Sequence, residues 1–204
     1  QLGVPVTVVM PANAPAVKIT RCRTLGAAVV LHGESFEAAH GHAVALAAET
    51  GATFVHPFDD PRVIAGQGTM ALEVLEQAPE LDTFVVPVGG GGLLAGVATV
   101  VKALRPEVRI VAVEPVAAAG FSAAWRRGAP VDEPVGPTLA DGLAVARVGA
   151  TTFALAASRV DAVVTVTEAE IGAALAVLAR SCGVVAEGAG AAAVAAVLSG
   201  RAGG

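Results

Sequence analysis

The residues with the most definite chemistry are Pro87-Val88-Gly89-Gly90-Gly91-Gly92-Leu93. An apolar run ends there, four glycines follow, and a helical stretch begins at once. Consecutive glycines let a backbone approach an anion closely, and the free N–H groups at a helix start can meet it. The helix dipole adds a favourable potential for a dianionic phosphate. A glycine-rich turn without a ligand is the plain alternative, but four glycines in a row cost backbone entropy with no packing return. A P-loop is excluded, because the lysine of G-x-x-x-x-G-K-[ST] is absent. A dinucleotide fits the spacing: Gly90, Gly92 and Gly96 spell G-x-G-x-x-x-G, and Glu114 ends the next strand, about where a ribose-binding acid would sit. Spacing alone leaves the choice of phosphate open.

The other reactive side chains read as structural. His40 and His42 lie two residues apart, so on a helix they share no face; they are poor metal partners and read as solvated. His32 falls at a strand end. His56, before Pro57 at the end of a Phe54-Val55 strand, reads as a hydrogen-bonded structural histidine. Asp59 and Asp60 read as turn and cap, since Asp60-Pro61 is an N-cap followed by proline at the first helical position. Gln67 lies on an apolar stripe and, if buried, needs polar partners. Arg126 and Arg127 read as solvated helix-end charges. Cys22 and Cys182 have no CxxC spacing and read as buried, reduced thiols.

Positioning the glycine run takes an alternating scaffold. Strands are expected at 6–10, 28–31, 84–88, 109–113 and 162–166. Helices are expected at 14–25, 35–50, 61–77, 92–104, 117–127, 168–181 and 188–198. The strands are near-continuous apolar runs, as in a parallel sheet covered on both faces, so the fold class is α/β, open and doubly wound. Val63, Ile64, Gln67, Met70, Ala71 and Val74 make one helical stripe. Thr167 with Glu170 fits a capping box. Residues 128–142 hold three prolines, Pro130, Pro134 and Pro137, and read as a functional surface loop.

Composition narrows the function classes. The 204 residues are 54% hydrophobic and 15% charged, which describes a chain that buries a core. A net charge of −5 excludes a basic surface for nucleic acid or anionic membrane. A spanning helix needs about 20 apolar residues. The best candidate, 183–198, is rich in Ala and Gly, contains Glu187 and reads as a buried soluble helix. The opening QLGVPVTVV has no basic n-region, so no signal peptide is read and a cytoplasmic location is expected.

A series of segments resembles the threonine dehydratase and serine racemase group of fold type II pyridoxal-phosphate enzymes. They are Val9-Met10-Pro11 with Ala14-Pro15 and Lys18; Gly26-Ala27 leading to Val29-Val30-Leu31; His56-Pro57-Phe58-Asp59-Asp60-Pro61; and Ile64-Ala65-Gly66-Gln67-Gly68-Thr69. The glycine run follows, then Val113-Glu114-Pro115, Thr138-Leu139-Ala140-Asp141-Gly142 and Ala186-Glu187-Gly188-Ala189-Gly190. They keep the family's order and cover nearly the whole chain. The resemblance implies an incomplete open sheet of the tryptophan synthase β-like kind. Residues 1–52 would be a remnant of the small domain and 53–204 most of the large, cofactor-phosphate-binding domain.

It also implies roles. Gly89, Gly90, Gly91, Gly92 and Leu93 would bind the phosphate of pyridoxal 5'-phosphate through main-chain N–H groups. Asp141 and Gly142 would lie against the pyridine ring, and Glu187 would approach the ring or its neighbours. Glu114 with the Ala118 carbonyl would supply part of a divalent-cation site for Mg or Mn. The family's further carboxylate position is Gly120 here, and a hard cation wants several oxygens. The family's Schiff-base lysine stands in an S-F-K-x-R-G-A type segment; the two lysines present, Lys18 and Lys102, lack that context. Lys102 sits ten residues past the glycine run, about 15 Å along a helix. The S-S-G-N-H segment and the late serine-glycine strand end are absent too, so truncation at both ends is expected, and no lyase activity from this chain alone. The intact enzyme would be an ammonia-lyase turning threonine or serine into a 2-oxo acid and ammonia, homo-oligomeric and tied to amino-acid metabolism such as isoleucine biosynthesis. The alternatives are a serine racemase of the same fold, an NAD(P)-dependent oxidoreductase, and a non-catalytic ligand-binding module.

Overall fold

The structure, a computed structural model, describes residues 3–203. Gln1, Leu2 and Gly204, the outermost residues of the two expected domains, lie outside the described residues. The chain divides into two compact units, Gln1–Val55 and His56–Gly204.

The first unit holds β1 (Thr7–Met10), α1 (Ala16–Thr24), β2 (Ala28–Leu31) and α2 (Phe36–Thr50). The two strands pair in parallel, Thr7 opposite Ala28 and Met10 opposite Leu31. Ser35 caps α2 by accepting the Ala38 N–H, and Gly51 ends it at a φ of 70°, a left-handed turn suited to glycine. His40 and His42 differ from the solvated reading. Both are half-buried. The His40 ring meets Phe54 edge-on at 5.4 Å, and His42 stacks on His32 at 4.0 Å. Aromatic neighbours supplied by other elements give these rings contact that helical spacing alone does not show. Phe54-Val55 is not a strand. The chain turns instead at Pro57, where His56 Nδ1 accepts the N–H groups of Phe58 (3.2 Å) and Asp59 (2.8 Å).

The second unit runs α3 (Pro61–Gln77), β3 (Thr83–Pro87), α4 (Gly92–Leu104), β4 (Arg109–Pro115), α5 (Gly120–Arg127), a 3₁₀ turn (Asp141–Leu143), α6 (Ala150–Ala156), β5 (Ala162–Val166), α7 (Glu168–Ser181) and α8 (Gly188–Leu198). Its sheet is parallel with β4 in the middle; Phe84 faces Ile110 and Val113 faces Val164. The pleat sends alternate residues of β4 to opposite faces. Ile110 and Ala112 enter a core with Phe84, Val86, Leu94, Val97 and Phe121. Val111 and Val113 enter a second core with Val166, Ile171, Ala174, Ala192 and Ala195. Both cores explain why β4 is apolar without alternation. Each fully buried Leu or Ile contributes about 1.5–3 kcal/mol.

Local chemistry sets several boundaries as the sequence implies. Asp60 accepts the Arg62 N–H ahead of Pro61, and Thr167 and Glu170 form both bonds of a capping box. Three features differ. Helix α5 starts at Gly120 rather than residue 117, because Ala118 closes a turn onto the Pro115 carbonyl first. Helix α6 lies in a stretch where no element is expected from the sequence. On α3 the buried residues are Ile64, Gly68 and Ala71, while Gln67 and Met70 are exposed, so no buried polar network forms around Gln67. The helix is rotated toward α4 because two glycines let the backbones meet: a Cβ on Gly96 would stand 2.6 Å from the Gly68 nitrogen. Among the described residues no helix is long and apolar enough to cross a membrane.

Candidate phosphate-binding site

The glycine turn joins the end of β3 to the start of α4. The Val88 N–H makes the last ladder bond, to the Val113 carbonyl at 2.8 Å, and the first helical donor is Ala95, to Gly91. Between them the N–H groups of Gly89 through Leu94 donate to no acceptor among the described residues. Gly90, Gly91 and Gly92 are buried. Gly91 through Leu94 carry the donors that any helix start leaves open, and the glycines extend that row back to Gly89. At the N-terminus of a 13-residue helix it is what a bound anion would satisfy.

The turn is shaped by close approaches that exclude side chains. Gly91 sits at φ 93°, the left-handed region, and a Cβ there would lie 2.8 Å from Thr152 Oγ1. A Cβ on Gly90 would run into the Phe58 ring, and one on Gly92 would lie 3.0 Å from the Phe58 Cβ. A Cβ on Gly89 would lie 3.0 Å from the Leu143 Cα and 3.3 Å from the Gly142 carbonyl. Side chains therefore fill the Cβ side of the turn, while its N–H groups keep no protein partner.

Gly142, in the exposed 3₁₀ turn with Asp141, is next to the same place. A Cβ on Gly142 would be 3.6 Å from Glu187 Oε1 and 3.1 Å from the Ala189 Cβ. Glu187 is exposed and occupies the N-cap of α8 without a side-chain capping bond. The fold thus brings Gly89, Gly142 and Glu187 together although nearly a hundred residues separate the first from the last. Glu168 Oε2 accepts the Leu139 N–H at 2.6 Å and fixes the approach to this turn.

Glu114 is engaged elsewhere. It is 1% exposed. Its Oε1 accepts the Phe121 N–H at 2.6 Å, and its Oε2 accepts the Ser122 N–H at 2.8 Å and the Ser122 hydroxyl at 2.7 Å. The carboxylate therefore caps α5. Burial raises its pKa above the ordinary 4.5, with the Ser122 hydroxyl and the Phe121 and Ser122 N–H groups pulling the other way. The dinucleotide reading needed Glu114 to point at a ribose, and Gly96 to serve the fingerprint; Glu114 instead meets α5, and Gly96 serves the crossing with α3. Ala118 is buried beside it. Among the described residues no three His, Cys, Asp or Glu side chains group as a metal ion would need. Lys102, at the far end of α4, holds the Val108 carbonyl and Asp161, each at 2.8 Å.

Spacing did not reveal one set of contacts. The Asp59 carboxylate accepts the N–H groups of Ala150 (3.1 Å), Thr151 (2.9 Å) and Thr152 (3.0 Å), so it caps α6. Thr152, fully buried, places Oγ1 2.8 Å from the Gly90 carbonyl. The partners of Asp59 lie 91 to 93 residues away. The available signal was the second aspartate itself, because Asp60 alone caps α3.

Comparison with known proteins gives the family and the fold. The family model described as "Pyridoxal-phosphate dependent enzyme" matches residues 1–204. An L-threonine ammonia-lyase of Thermotoga maritima is 49% identical over 197 residues, which is 97% of this chain and 49% of that protein. The processed form of threonine deaminase isoform 2 from Solanum lycopersicum superposes with a TM-score of 0.87 at 40% identity, over 94% of this chain and 56% of that one. Maize serine racemase gives 0.92 at 37% identity, over 96% and 59%. The chain spans about half the length of the curated relatives it matches. These neighbours share the parallel α/β fold expected from the sequence.

Proposed function

The chain belongs to the pyridoxal-phosphate-dependent enzyme family, and from that premise we propose that the full-length protein is a threonine ammonia-lyase that also accepts serine. The observation that carries the proposal is the row of unpartnered N–H groups from Gly89 to Leu93 at the start of α4. In this reading those N–H groups hold the cofactor phosphate, helped by the helix dipole. Gly142 lets the ring come close where a side chain would stand in the way, with Asp141 beside it. Glu187, at the next corner, sets the polarity along the ring's edge. When bound, the cofactor supplies the electron sink that makes an amino acid's α-proton removable. What these residues contribute is position: they fix the phosphate, and so the ring, relative to the ends of β3 and β4.

Domain roles follow the same reading, with the second unit carrying the phosphate site. A homo-oligomer in the cytoplasm is the matching context. A divalent cation at Glu114 and the Ala118 carbonyl would compete with α5, because both Glu114 oxygens already cap that helix. A serine racemase is the second reading, favoured by the superposition on the maize enzyme. Phe58-Asp59-Asp60 favours the lyase, by resemblance to dehydratases. The test is incubation of the full-length protein and pyridoxal 5'-phosphate with L-threonine and L-serine. Formation of 2-oxobutanoate supports the lyase; D-serine without 2-oxo acid supports the racemase; tight dinucleotide binding with neither product defeats both.

A further inference from the structure

We infer that Asp59 and Thr152 are positioning residues that set the direction of the Gly91 N–H within the phosphate-binding turn; this rests on the phosphate reading proposed above. The Gly90 carbonyl is clamped from one side. Thr152 Oγ1 lies 2.8 Å from it and the Gly149 N–H donates to it at 3.1 Å. A peptide unit is planar and trans, so the Gly90 C=O and the Gly91 N–H point in opposite directions. Holding the carbonyl toward α6 therefore aims the Gly91 N–H away from α6, into the row of unpartnered donors. Were this peptide to flip, a carbonyl oxygen would replace an N–H in that row and repel an anion. The flip is a real alternative here because glycines on both sides of the peptide admit either orientation, and Gly91 sits at φ 93°.

Asp59 holds the clamp itself in place. Helix α6 has seven residues and begins after Gly149, which offers no side-chain cap. The Asp59 carboxylate takes its first three N–H groups and so fixes both Gly149 and Thr152 against the turn. Asp59 is fixed in turn by its own N–H, donated to His56 Nδ1 at 2.8 Å. The Phe58 ring, one residue earlier, fills the space beneath Gly90 where a side chain would otherwise stand. The segment His56-Pro57-Phe58-Asp59 thereby supports the turn from below and, through α6, from the side.

Binding constants of the full-length protein for pyridoxal 5'-phosphate and for unphosphorylated pyridoxal test this. Thr152→Val removes the hydroxyl and keeps the shape. It is expected to weaken pyridoxal 5'-phosphate about tenfold, the scale of one charge-assisted hydrogen bond, and to leave pyridoxal unchanged. Thr152→Ser restores the hydroxyl and is expected to restore the affinity. Asp59→Asn keeps the size of the side chain but turns an NH₂ against one of the three N–H groups; it is expected to act in the same direction, and both variants are expected to move the ³¹P resonance of the bound cofactor. Equal loss for both ligands, or an unchanged preference for the phosphate in Thr152→Val and Asp59→Asn, overturns the inference. A wild-type protein with no preference for the phosphorylated ligand overturns the phosphate reading itself, and the inference with it.

Discussion

Replacing Glu114 with alanine removes a buried carboxylate that accepts three hydrogen bonds at the start of α5. It leaves the Phe121 N–H, the Ser122 N–H and the Ser122 hydroxyl without that acceptor. A buried unsatisfied donor costs about 1–3 kcal/mol. The hydroxyl can rotate to another partner, and removing the carboxylate relieves its own desolvation, so the net loss is about 2–4 kcal/mol. Glu114→Gln retains one acceptor but turns an NH₂ against a backbone donor, and should cost about 1–2 kcal/mol. The sign with pH follows from burial. The folded-state pKa is raised above 4.5, so the folded protein binds this proton more tightly than the unfolded chain. The stability this contributes is complete below pH 4.5 and is lost as pH rises through the folded value. Urea unfolding of the full-length protein from acid to neutral pH, wild type against both variants, measures it. Wild type should lose ground to Glu114→Gln as pH rises. A cost below ~1 kcal/mol for alanine, or the opposite pH trend, refutes the capping reasoning. So does a magnesium-dependent rise in midpoint confined to wild type, which would mean that the carboxylate leaves α5 for a cation.

Three further outcomes follow from the geometry. Gly91→Ala forces a side chain into the left-handed region at φ 93° and against Thr152, costing about 2–4 kcal/mol; thermal unfolding should show it, and inorganic phosphate should no longer protect the variant. Gly96→Ala places a Cβ 2.6 Å from the Gly68 nitrogen and should destabilise by about 1–3 kcal/mol through the α3–α4 crossing, with cofactor affinity retained in the fraction that folds. Glu170, bonded to the Thr167 N–H and to Arg201, has its carboxyl lowered to about 2; its stabilisation is present above pH 4.5 and lost as pH falls through about 2. It is partly exposed, so Glu170→Gln should cost only about 0.5–1 kcal/mol at neutral pH, with the difference from wild type vanishing in strong acid.

The legible parts of this chain are those whose causes are local. Helix α3 announces itself by Asp60-Pro61, and α7 by Thr167 and Glu170, because a cap and its partner lie within one turn. Strand β4 is legible because burial on both faces leaves an unbroken apolar run. The glycine turn is legible as the junction of β3 and α4, because four consecutive glycines end an apolar run and directly precede a helical one. Helix α6 is not, since its cap is Asp59, and its seven residues, Ala-Thr-Thr-Phe-Ala-Leu-Ala, carry no stop or start of their own. Gln67 reads onto the wrong side of α3 because a stripe drawn through large residues passes over it. The contact that turns α3 runs through Gly68 and Gly96, where the missing side chains are the signal. Glu114 is open to two readings in the sequence, a ribose acid by spacing and a cation ligand by family resemblance, because its partners at Phe121 and Ser122 depend on how the chain turns after Pro115.

The most direct measurement is a crystal structure of the full-length protein with pyridoxal 5'-phosphate bound. The phosphate oxygens should lie within hydrogen-bonding distance, about 2.7–3.2 Å, of the nitrogens of Gly89 to Leu93, with Gly142 against the ring. A cofactor phosphate held by another segment, with those five N–H groups still unpaired or closed over by side chains, would contradict the account.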